Sequence, residues 1–250
     1  MSGRIVSERH GAVLRLVIDN PERANALSPE SADALVRALP DAHDDSGIRV
    51  VELGGAGDRT FCSGFELDRI GPDTSATGLA ELMAAVASCP TPVIAVLAGH
   101  AVGAGLELAC RCDLRVARRG IRLGLPAVRL GVAYRADGVA AVLRTAPGAR
   151  RLLLSGEQVP VESVTGFADV LADGIDDVAA AARSLSETLA AAAPRALGYT
   201  VRLVRAAVAG DLSETALEQF DHDRRGIMAG GDVHEAVTAR REGRRPWFAI

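Results

Sequence analysis

Short runs of aliphatic and β-branched residues alternate with helix-like segments through the first half of the chain. The runs IRVVEL at 48–53, PVIAVLAG at 92–99 and DLRVAR at 113–118 have the composition of buried parallel strands. A helix-like segment or a glycine-rich loop follows each of the first two. Because parallel strands need crossover connections, usually helical and right-handed, this pattern predicts an α/β fold.

The N-terminal region has clear boundaries. RIVSE and AVLRLVID flank the turn RHG and predict a β-hairpin that ends at Asn20-Pro21. Ser28 followed by Pro29 predicts an N-cap and a helix that runs to about Leu39. A further helix is expected around LAELMAAVAS at 79–88.

The C-terminal part has a different character. From about residue 178 the chain consists of Ala-, Leu- and Arg-rich helical segments without a strand candidate. No linker of low complexity separates this part from the rest. The sequence therefore predicts a core at 1–177 and a helical region at 178–250 that pack together.

Charge and composition exclude several classes of protein. The 250 residues carry a net charge of −4, and their 28 basic residues, all arginine, are scattered and balanced by 32 acids. A nucleic-acid surface needs massed basic residues, so no nucleic-acid partner is expected. No stretch has the apolar core of a signal peptide or the length of a membrane span, which predicts a cytoplasmic protein without a membrane partner.

Cysteine and histidine spacing does not suggest a metal site. The four cysteines lack C-x-x-C pairs and are expected to be small buried residues: Cys62, Cys89, Cys110 and Cys112. The five histidines show no H-x-x-x-H spacing. His100 lies near a candidate loop, but it is interpreted as a packed or hydrogen-bonded residue.

Two loops share one form, a buried strand followed by a small-residue turn and a helix. The first contains Gly64 and Phe65, and the second contains Gly103, Ala104 and Gly105. Strand-to-helix turns gather at the carboxyl edge of a parallel sheet and present free backbone N–H groups. If the loops meet, two amides can converge on one oxygen and stabilise an enolate or a tetrahedral oxyanion. For either loop alone, tight turns and close packing explain the glycines equally well.

Four segments in order resemble the crotonase family of enoyl-CoA hydratases and isomerases. They are NPERANALSPE at 20–30, VVELGGAGDRTFCSGFEL at 50–67, CPTPVIAVLAGHAVGAGLELACRCDLRVA at 89–117 and DVHEAVTARREGRRPWF at 232–248. The resemblance implies a spiral of ββα units and an acyl-CoA thioester substrate, with coenzyme A as part of the substrate and no separate cofactor. It also implies a homotrimer or hexamer built by the C-terminal helices, in which Trp247 and Phe248 approach a neighbour's coenzyme A site.

The resemblance assigns binding roles to several positions. The two oxyanion amides fall on Phe65 and Ala104. The loop that cradles the coenzyme A arm and the nucleotide end of its site falls on a larger set: Arg23, Ala24, Ser63, Phe65, Glu66, Leu67 and Gly103.

The catalytic acids depart from the family pattern. Glu107 matches the first of the two glutamates of hydratases, and a first-turn Glu stabilised by the helix dipole is the alternative explanation. Ala127, in GLPAVRLG, occupies the position of the second glutamate. Asp137, in a segment with Tyr134 and Arg135, is a candidate replacement, and an Asp-Gly turn explains it equally well.

Other functions fit the sequence less well. G-A-G at 103–105 suggests a dinucleotide site, but position 108 is Leu where the fingerprint needs Gly or Ala. The absence of lysine excludes a P-loop, and no G-x-S-x-G elbow is present. The main alternative is a family member that binds an acyl-CoA or a partner protein without catalysis, because Ala127 removes one acid.

Overall fold

The strands and helices follow one another in a repeating ββα order. The computed structural model describes residues 3–66 and 77–248, without the side chains of 40–44 and 77. Its strands are β1 (Arg4–His10), β2 (Val13–Asp19), β3 (Val50–Gly55), β4 (Thr60–Cys62), β5 (Val93–Leu97), β6 (His100–Val102), β7 (Leu114–Arg118), β8 (Arg122–Gly124), β9 (Gln158–Pro160) and β10 (Val170–Ala172). Its α-helices are α1 (Pro29–Asp44), α2 (Thr77–Ser88), α3 (Ala104–Arg111), α4 (Ala127–Leu130), α5 (Ala136–Thr145), α6 (Arg150–Ser155), α7 (Ile175–Ala190), α8 (Pro194–Ala209), α9 (Glu214–Met228) and α10 (Gly231–Glu242).

Two sheets organise these elements. Across the described ranges, six strands form a large sheet in the order β1-β2-β3-β5-β7-β10, and four form a small sheet in the order β4-β6-β8-β9. β1 and β2 are the predicted antiparallel hairpin, and the other strand pairs of the large sheet are parallel. From β3 to β8, each repeat places its first strand in the large sheet and its second strand in the small sheet. The chain therefore advances as a spiral of ββα units, which confirms the predicted fold.

The strands of the small sheet were not recognised in the sequence. β4 and β6 have three residues each and lie inside the segments interpreted as glycine-rich loops. Strands this short have no measurable periodicity. Glycines mark the corners that lead into them, because a Cβ on Gly55 would lie 2.2 Å from the Phe61 carbonyl oxygen and one on Gly99 would lie 2.3 Å from the Thr60 nitrogen.

Helix α1 begins where the sequence predicts and ends later. The hydroxyl of Ser28 accepts a hydrogen bond from the Ser31 amide, and the hydroxyl of Ser31 accepts one from the Ser28 amide. This reciprocal cap confirms Ser28 as the start. The predicted end near Leu39 is wrong, because the backbone remains helical through Pro40 to Asp44. Proline removes one backbone donor, but packing of α1 against α2 and β1 offsets that loss.

The core has two layers of apolar contact. Helices α1, α2 and α3 cover one face of the large sheet, with residues such as Leu16, Leu53 and Leu106 almost fully buried. Helix α7 covers the other face, where Val178 and Ala182 pack against β3, β5 and β7. Burial of each large aliphatic side chain contributes about 1.5–3 kcal/mol. The sheet is therefore covered on both faces, as parallel strands require.

Helices α8 and α9 contribute little to this core. No residue described in either helix is buried, and in α10 the buried residue is Ala239. Arg205 of α8 nevertheless ties this region to the core through a two-nitrogen contact with Asp113, at 2.7 and 2.6 Å. The helices that the sequence predicted after residue 178 are present, and of these α8, α9 and α10 expose apolar side chains that include Val204, Leu217 and Val237.

Two classes of residue behave as predicted. The four cysteines are buried and free, and burial raises the pKa of Cys62 and of Cys110 to about 12. Such thiols are poor nucleophiles. His100 Nδ1 accepts a hydrogen bond from the Arg122 amide at 2.9 Å, in agreement with a packed, hydrogen-bonded histidine.

Among the residues that the structure describes, no helix is both long and apolar enough to cross a membrane.

Candidate active site

The two predicted loops meet beside the N-terminus of α3. Gly64 and Gly103 have positive φ angles of 114° and 58°. A Cβ on Gly64 would lie 3.3 Å from the Val102 carbonyl oxygen and 3.4 Å from the Ala104 nitrogen. A side chain on Gly64 would therefore crowd the opposing loop, and at both positions glycine permits the backbone conformation.

The Phe65 and Ala104 amides are the predicted oxyanion donors. The Leu27 amide donates to the Gly64 carbonyl and the Glu66 amide donates to the Leu27 carbonyl, so the intervening Phe65 N–H faces away from Leu27. Ala104 is the first residue of α3, where an amide has no intrahelical acceptor. Within residues 3–66 and 77–248, neither amide donates a hydrogen bond. Among the described residues, neither N–H group therefore has an acceptor.

Close backbone packing fixes α3 against the first loop. A Cβ on Gly105 would lie 2.2 Å from the carbonyl oxygen of Cys62, the last residue of β4. No side chain larger than hydrogen fits there without a backbone shift. The distance between the two loops is therefore set by contact between main chains.

Glu107 is buried in the first turn of α3. Its residue is 7% exposed, and its Oε1 lies 3.2 Å from Nη2 of Arg111, one turn further along the helix. Against α5, the carboxyl packs so closely that a Cβ on Gly138 would lie 2.6 Å from Oε1. Burial raises the pKa of Glu107, and the charge and hydrogen bond of Arg111 oppose that rise. This combination keeps a proton on the carboxyl to higher pH than on an exposed glutamate.

Asp137 joins the same cluster from the neighbouring helix. It lies in the first turn of α5, not in an Asp-Gly turn. Its Oδ2 is 3.1 Å from Arg111 Nη2, and its Oδ1 is 3.1 Å from Arg135 Nε. Burial acts to raise the pKa of Asp137, but the charges and hydrogen bonds of the two arginines outweigh it and lower the pKa. Asp137 is therefore ionised near neutral pH.

Tyr134 lies beside the second loop, and its hydroxyl forms a hydrogen bond with the backbone of Ala127. Ala127 is 5% exposed and begins α4, so the position contributes a methyl group. The Tyr134 hydroxyl oxygen would lie 3.9 Å from a Cβ on Gly103. Burial raises the pKa of Tyr134 to about 12, which keeps the hydroxyl protonated and able to donate.

The residues assigned to the coenzyme A arm also lie together. The Ser63 hydroxyl donates to the Arg23 carbonyl and the Ser63 amide donates to the Ala24 carbonyl. Arg23 and Glu66 form an ion pair at 3.3 Å. The buried side-chain NH₂ group of Asn25 donates to the Thr60 carbonyl at 2.6 Å and holds this turn against β4. Leu67 lies outside the described residues.

Sequence reasoning missed Arg111, Gly138 and Asn25. Arg111 follows Glu107 by four residues on a helix, and this spacing is a recognised signal for an ion pair. Gly138 had been considered only as part of an Asp-Gly turn, and its contact with Glu107 depends on the relative position of α3 and α5. Nothing in local sequence indicated that contact.

Comparison with known proteins supports the same assignment of fold. The family model for enoyl-CoA hydratase/isomerase matches residues 8–249. The (E)-benzylidenesuccinyl-CoA hydratase of Thauera aromatica is 33% identical over 249 residues, which cover 94% of this chain and 95% of that protein. The carnitinyl-CoA dehydratase of Proteus mirabilis is 28% identical, covering 88% of this chain and 85% of that protein.

Solved structures are similar over almost the whole chain. The enoyl-CoA hydratase of Bacillus anthracis has a TM-score of 0.89 at 24% identity, covering 98% of both chains. Enoyl-CoA hydratase EchA1 of Mycobacterium marinum has a TM-score of 0.85 at 27% identity, covering 98% of this chain and 99% of the other. The spiral of ββα units and the two meeting loops define a crotonase-type protein. Within that class, the chain belongs to the enoyl-CoA hydratase/isomerase family.

Proposed function

We propose that this protein is an acyl-CoA-transforming enzyme that stabilises a thioester enolate and uses Glu107 as its acid and base. One observation supports this proposal above the others. The free Ala104 amide and the buried Glu107 carboxyl lie in the first turn of the same short helix, against the loop that carries Phe65. An oxygen bound by the two amides would place the adjacent carbon atoms of a thioester near the carboxyl.

Each chain group then has a defined task. The Phe65 and Ala104 N–H groups donate to the thioester oxygen and stabilise negative charge as it develops there. This polarisation acidifies the α-carbon. In removal of water from a 3-hydroxyacyl thioester, Glu107 takes the α-carbon proton and then gives it to the hydroxyl that leaves the β-carbon as water, and addition of water to an enoyl thioester runs these steps in reverse. Ala127 cannot transfer a proton, so Glu107 carries the proton transfers that two glutamates share in the family pattern. The names of the two relatives are those of a hydratase and a dehydratase of CoA thioesters, and these names favour addition or removal of water.

A non-catalytic acyl-CoA-binding protein is the second candidate. The observation that favours it is the pair of departures at the site, a methyl group at Ala127 and an ion pair between Glu107 and Arg111. Single-turnover reactions with a panel of enoyl-CoA and 3-hydroxyacyl-CoA thioesters distinguish the two candidates. Conversion of any thioester supports the enzyme, and binding without conversion across the panel supports the second candidate.

We expect the protein to bind CoA thioesters in preference to the corresponding free acids. The oxyanion amides need a thioester oxygen, and the coenzyme A arm supplies binding energy distant from the reacting atoms. Isothermal titration calorimetry with crotonyl-CoA, crotonate and NAD measures this directly. Heat of binding is expected for the thioester alone, and saturable binding of NAD without binding of the thioester would contradict the proposal.

We further propose a homotrimer or a hexamer built by the C-terminal helices. Apolar side chains are exposed on α8, α9 and α10: Val204, Val208, Leu217, Met228, Val233 and Val237. Trp247 is 76% exposed beyond α10, where it could contact a neighbouring subunit. Exposed apolar side chains on several neighbouring helices are consistent with an interface between subunits.

The oligomeric state should respond to charges placed on α8. The double variant Val204→Asp, Val208→Asp is expected to yield monomers in light scattering at micromolar concentration, because each carboxylate would be buried in the interface. Leu154→Asp is the matched control, since Leu154 is 76% exposed on α6, outside these helices. A monomeric wild-type protein at the same concentration would contradict the proposed assembly.

A further inference from the structure

Arg111 occupies a central position that the proposed mechanism does not use. It lies on α3 one turn after Glu107, and its side chain is 13% exposed. A single nitrogen, Nη2, lies 3.2 Å from Glu107 Oε1 and 3.1 Å from Asp137 Oδ2. The two carboxylates belong to different helices, so one guanidinium group joins α3 to α5 at the site.

We propose that Arg111 is a positioning residue that holds the Glu107 carboxyl in its working orientation and couples it to Asp137. This inference rests on the proposed function, in which Glu107 transfers the proton. Asp137 then has an indirect role: it shares the Arg111 cation with Glu107 instead of acting on the substrate as a second acid.

The placement of the guanidinium supports a positioning role. Arg111 Nε is buried and has no hydrogen-bond partner in the described part of the chain. An unpaired buried donor destabilises the fold. The contacts of Nη2 with the two carboxylates offset this cost, so these contacts determine where the side chain lies. Gly138 leaves room on the opposite side for the Glu107 carboxyl alone.

The charged groups around Glu107 determine how its pKa should change when one of them is removed. Its charged and titratable neighbours come from α3, from α5 and from the segment between α4 and α5: Cys110, Arg111, Tyr134, Arg135 and Asp137. Burial raises the pKa values of Cys110 and Tyr134 to about 12, so both are neutral near pH 7. Among the described residues, the local balance therefore consists of two carboxyl groups and two guanidinium groups, of which Arg111 contacts both carboxyl groups.

Removing each partner of the cluster should move the pKa of Glu107 in a different direction. Burial raises this pKa, the Arg111 cation lowers it and the Asp137 charge raises it. Arg111→Met deletes the cation but keeps an unbranched apolar chain, so the pKa of Glu107 should rise. Asp137→Asn removes the negative charge that repels the Glu107 carboxylate. Arg111 then pairs with Glu107 alone, so the pKa of Glu107 should fall. Simple loss of packing would not produce opposite shifts from two residues of one cluster.

Isotope-edited infrared titration of the full-length protein tests this proposal. Glutamate labelled with ¹³C at the δ-carbon reports carboxyl protonation, and the Glu107 band is the one that Glu107→Gln removes. The proposal expects an upward shift of the Glu107 titration in Arg111→Met, a downward shift in Asp137→Asn and at least partial return in Arg111→Lys, which restores the charge. Asp137 is half exposed, so its variant gives a reading even if Arg111→Met fails to fold.

The outcomes separate this inference from the proposed function. An unchanged Glu107 titration in Asp137→Asn, or shifts in the same direction in both variants, would overturn the coupling. The pH dependence of thioester turnover is measured in parallel. The pH values at which turnover rises and falls are expected to shift in the same direction as the Glu107 pKa in the infrared titration. If the wild-type protein converts no thioester, the proposed function fails while the infrared titration still decides whether Arg111 couples the two acids.

Discussion

Replacing Glu107 with glutamine should reduce turnover of CoA thioesters by about 10²–10⁴-fold, the usual contribution of a general acid or base. Glutamine has nearly the same shape and keeps the close contact with Gly138, but it cannot exchange a proton at the substrate. Binding should change little, because the oxyanion amides and the coenzyme A loops are untouched. Steady-state kinetics should therefore show a lower kcat, while calorimetry shows a similar Kd.

Asp137→Asn is the matched control for this experiment. It also converts a carboxylate of the same cluster to an amide, but on the exposed side of Arg111. We expect it to retain turnover at its own pH optimum, because Asp137 acts on Glu107 through Arg111. The reverse result, an active Glu107→Gln and an inactive Asp137→Asn, would show that Asp137 is the acid that moves the proton.

The pH dependence of the wild-type reaction follows from the same cluster. A raised pKa on Glu107 means that the protonated carboxyl persists to higher pH than for an exposed glutamate. A lowered pKa on Asp137 means that its charge is present over the same range. The pKa values of two carboxyl groups that share one guanidinium nitrogen are thus shifted in opposite directions, which is a common arrangement in acid–base sites.

Five strands of the large sheet could be predicted because they carry strong local signals, whereas β10, with three residues, was missed. Val93–Leu97 is apolar at every position, and Ser28-Pro29 gives both a cap and a first helical residue. The small sheet could not be predicted, because its strands have three residues each and form through close contact between main chains. Pro40 likewise stays within α1 because of tertiary packing, which local propensity does not include.

The candidate site likewise has one part that the sequence predicts and one part that it does not. The free amide of Ala104 could be anticipated from a glycine-rich turn that opens a helix, since every helix N-terminus leaves donors free. The cluster of Glu107, Arg111 and Asp137 joins residues of two helices, and no spacing within either helix specifies that contact. Only the helical pair of Glu107 and Arg111 was accessible from the sequence, through its four-residue separation.

Replacing Ala104 with proline should reduce turnover by about a hundredfold or more, by analogy with loss of other oxyanion donors. Proline deletes the N–H and directs its ring toward the place where the substrate oxygen would bind. The helix should survive, because proline is favoured at the first helical position. Gly103, with φ 58° and ψ −127°, lies outside the α region that a following proline disfavours.

The way in which activity is lost identifies the role of this amide. Ala104→Ser alters the side chain but keeps the N–H, so it measures the cost of a changed side chain at a buried position. If the amide acts mainly on charge that develops during the reaction, Ala104→Pro lowers kcat much more than it raises KM. Circular dichroism and thermal unfolding check that both variants fold. A folded Ala104→Pro protein with turnover close to that of Ala104→Ser would show that the thioester oxygen binds elsewhere, because the hydrogen bond assigned to Ala104 cannot form without its donor.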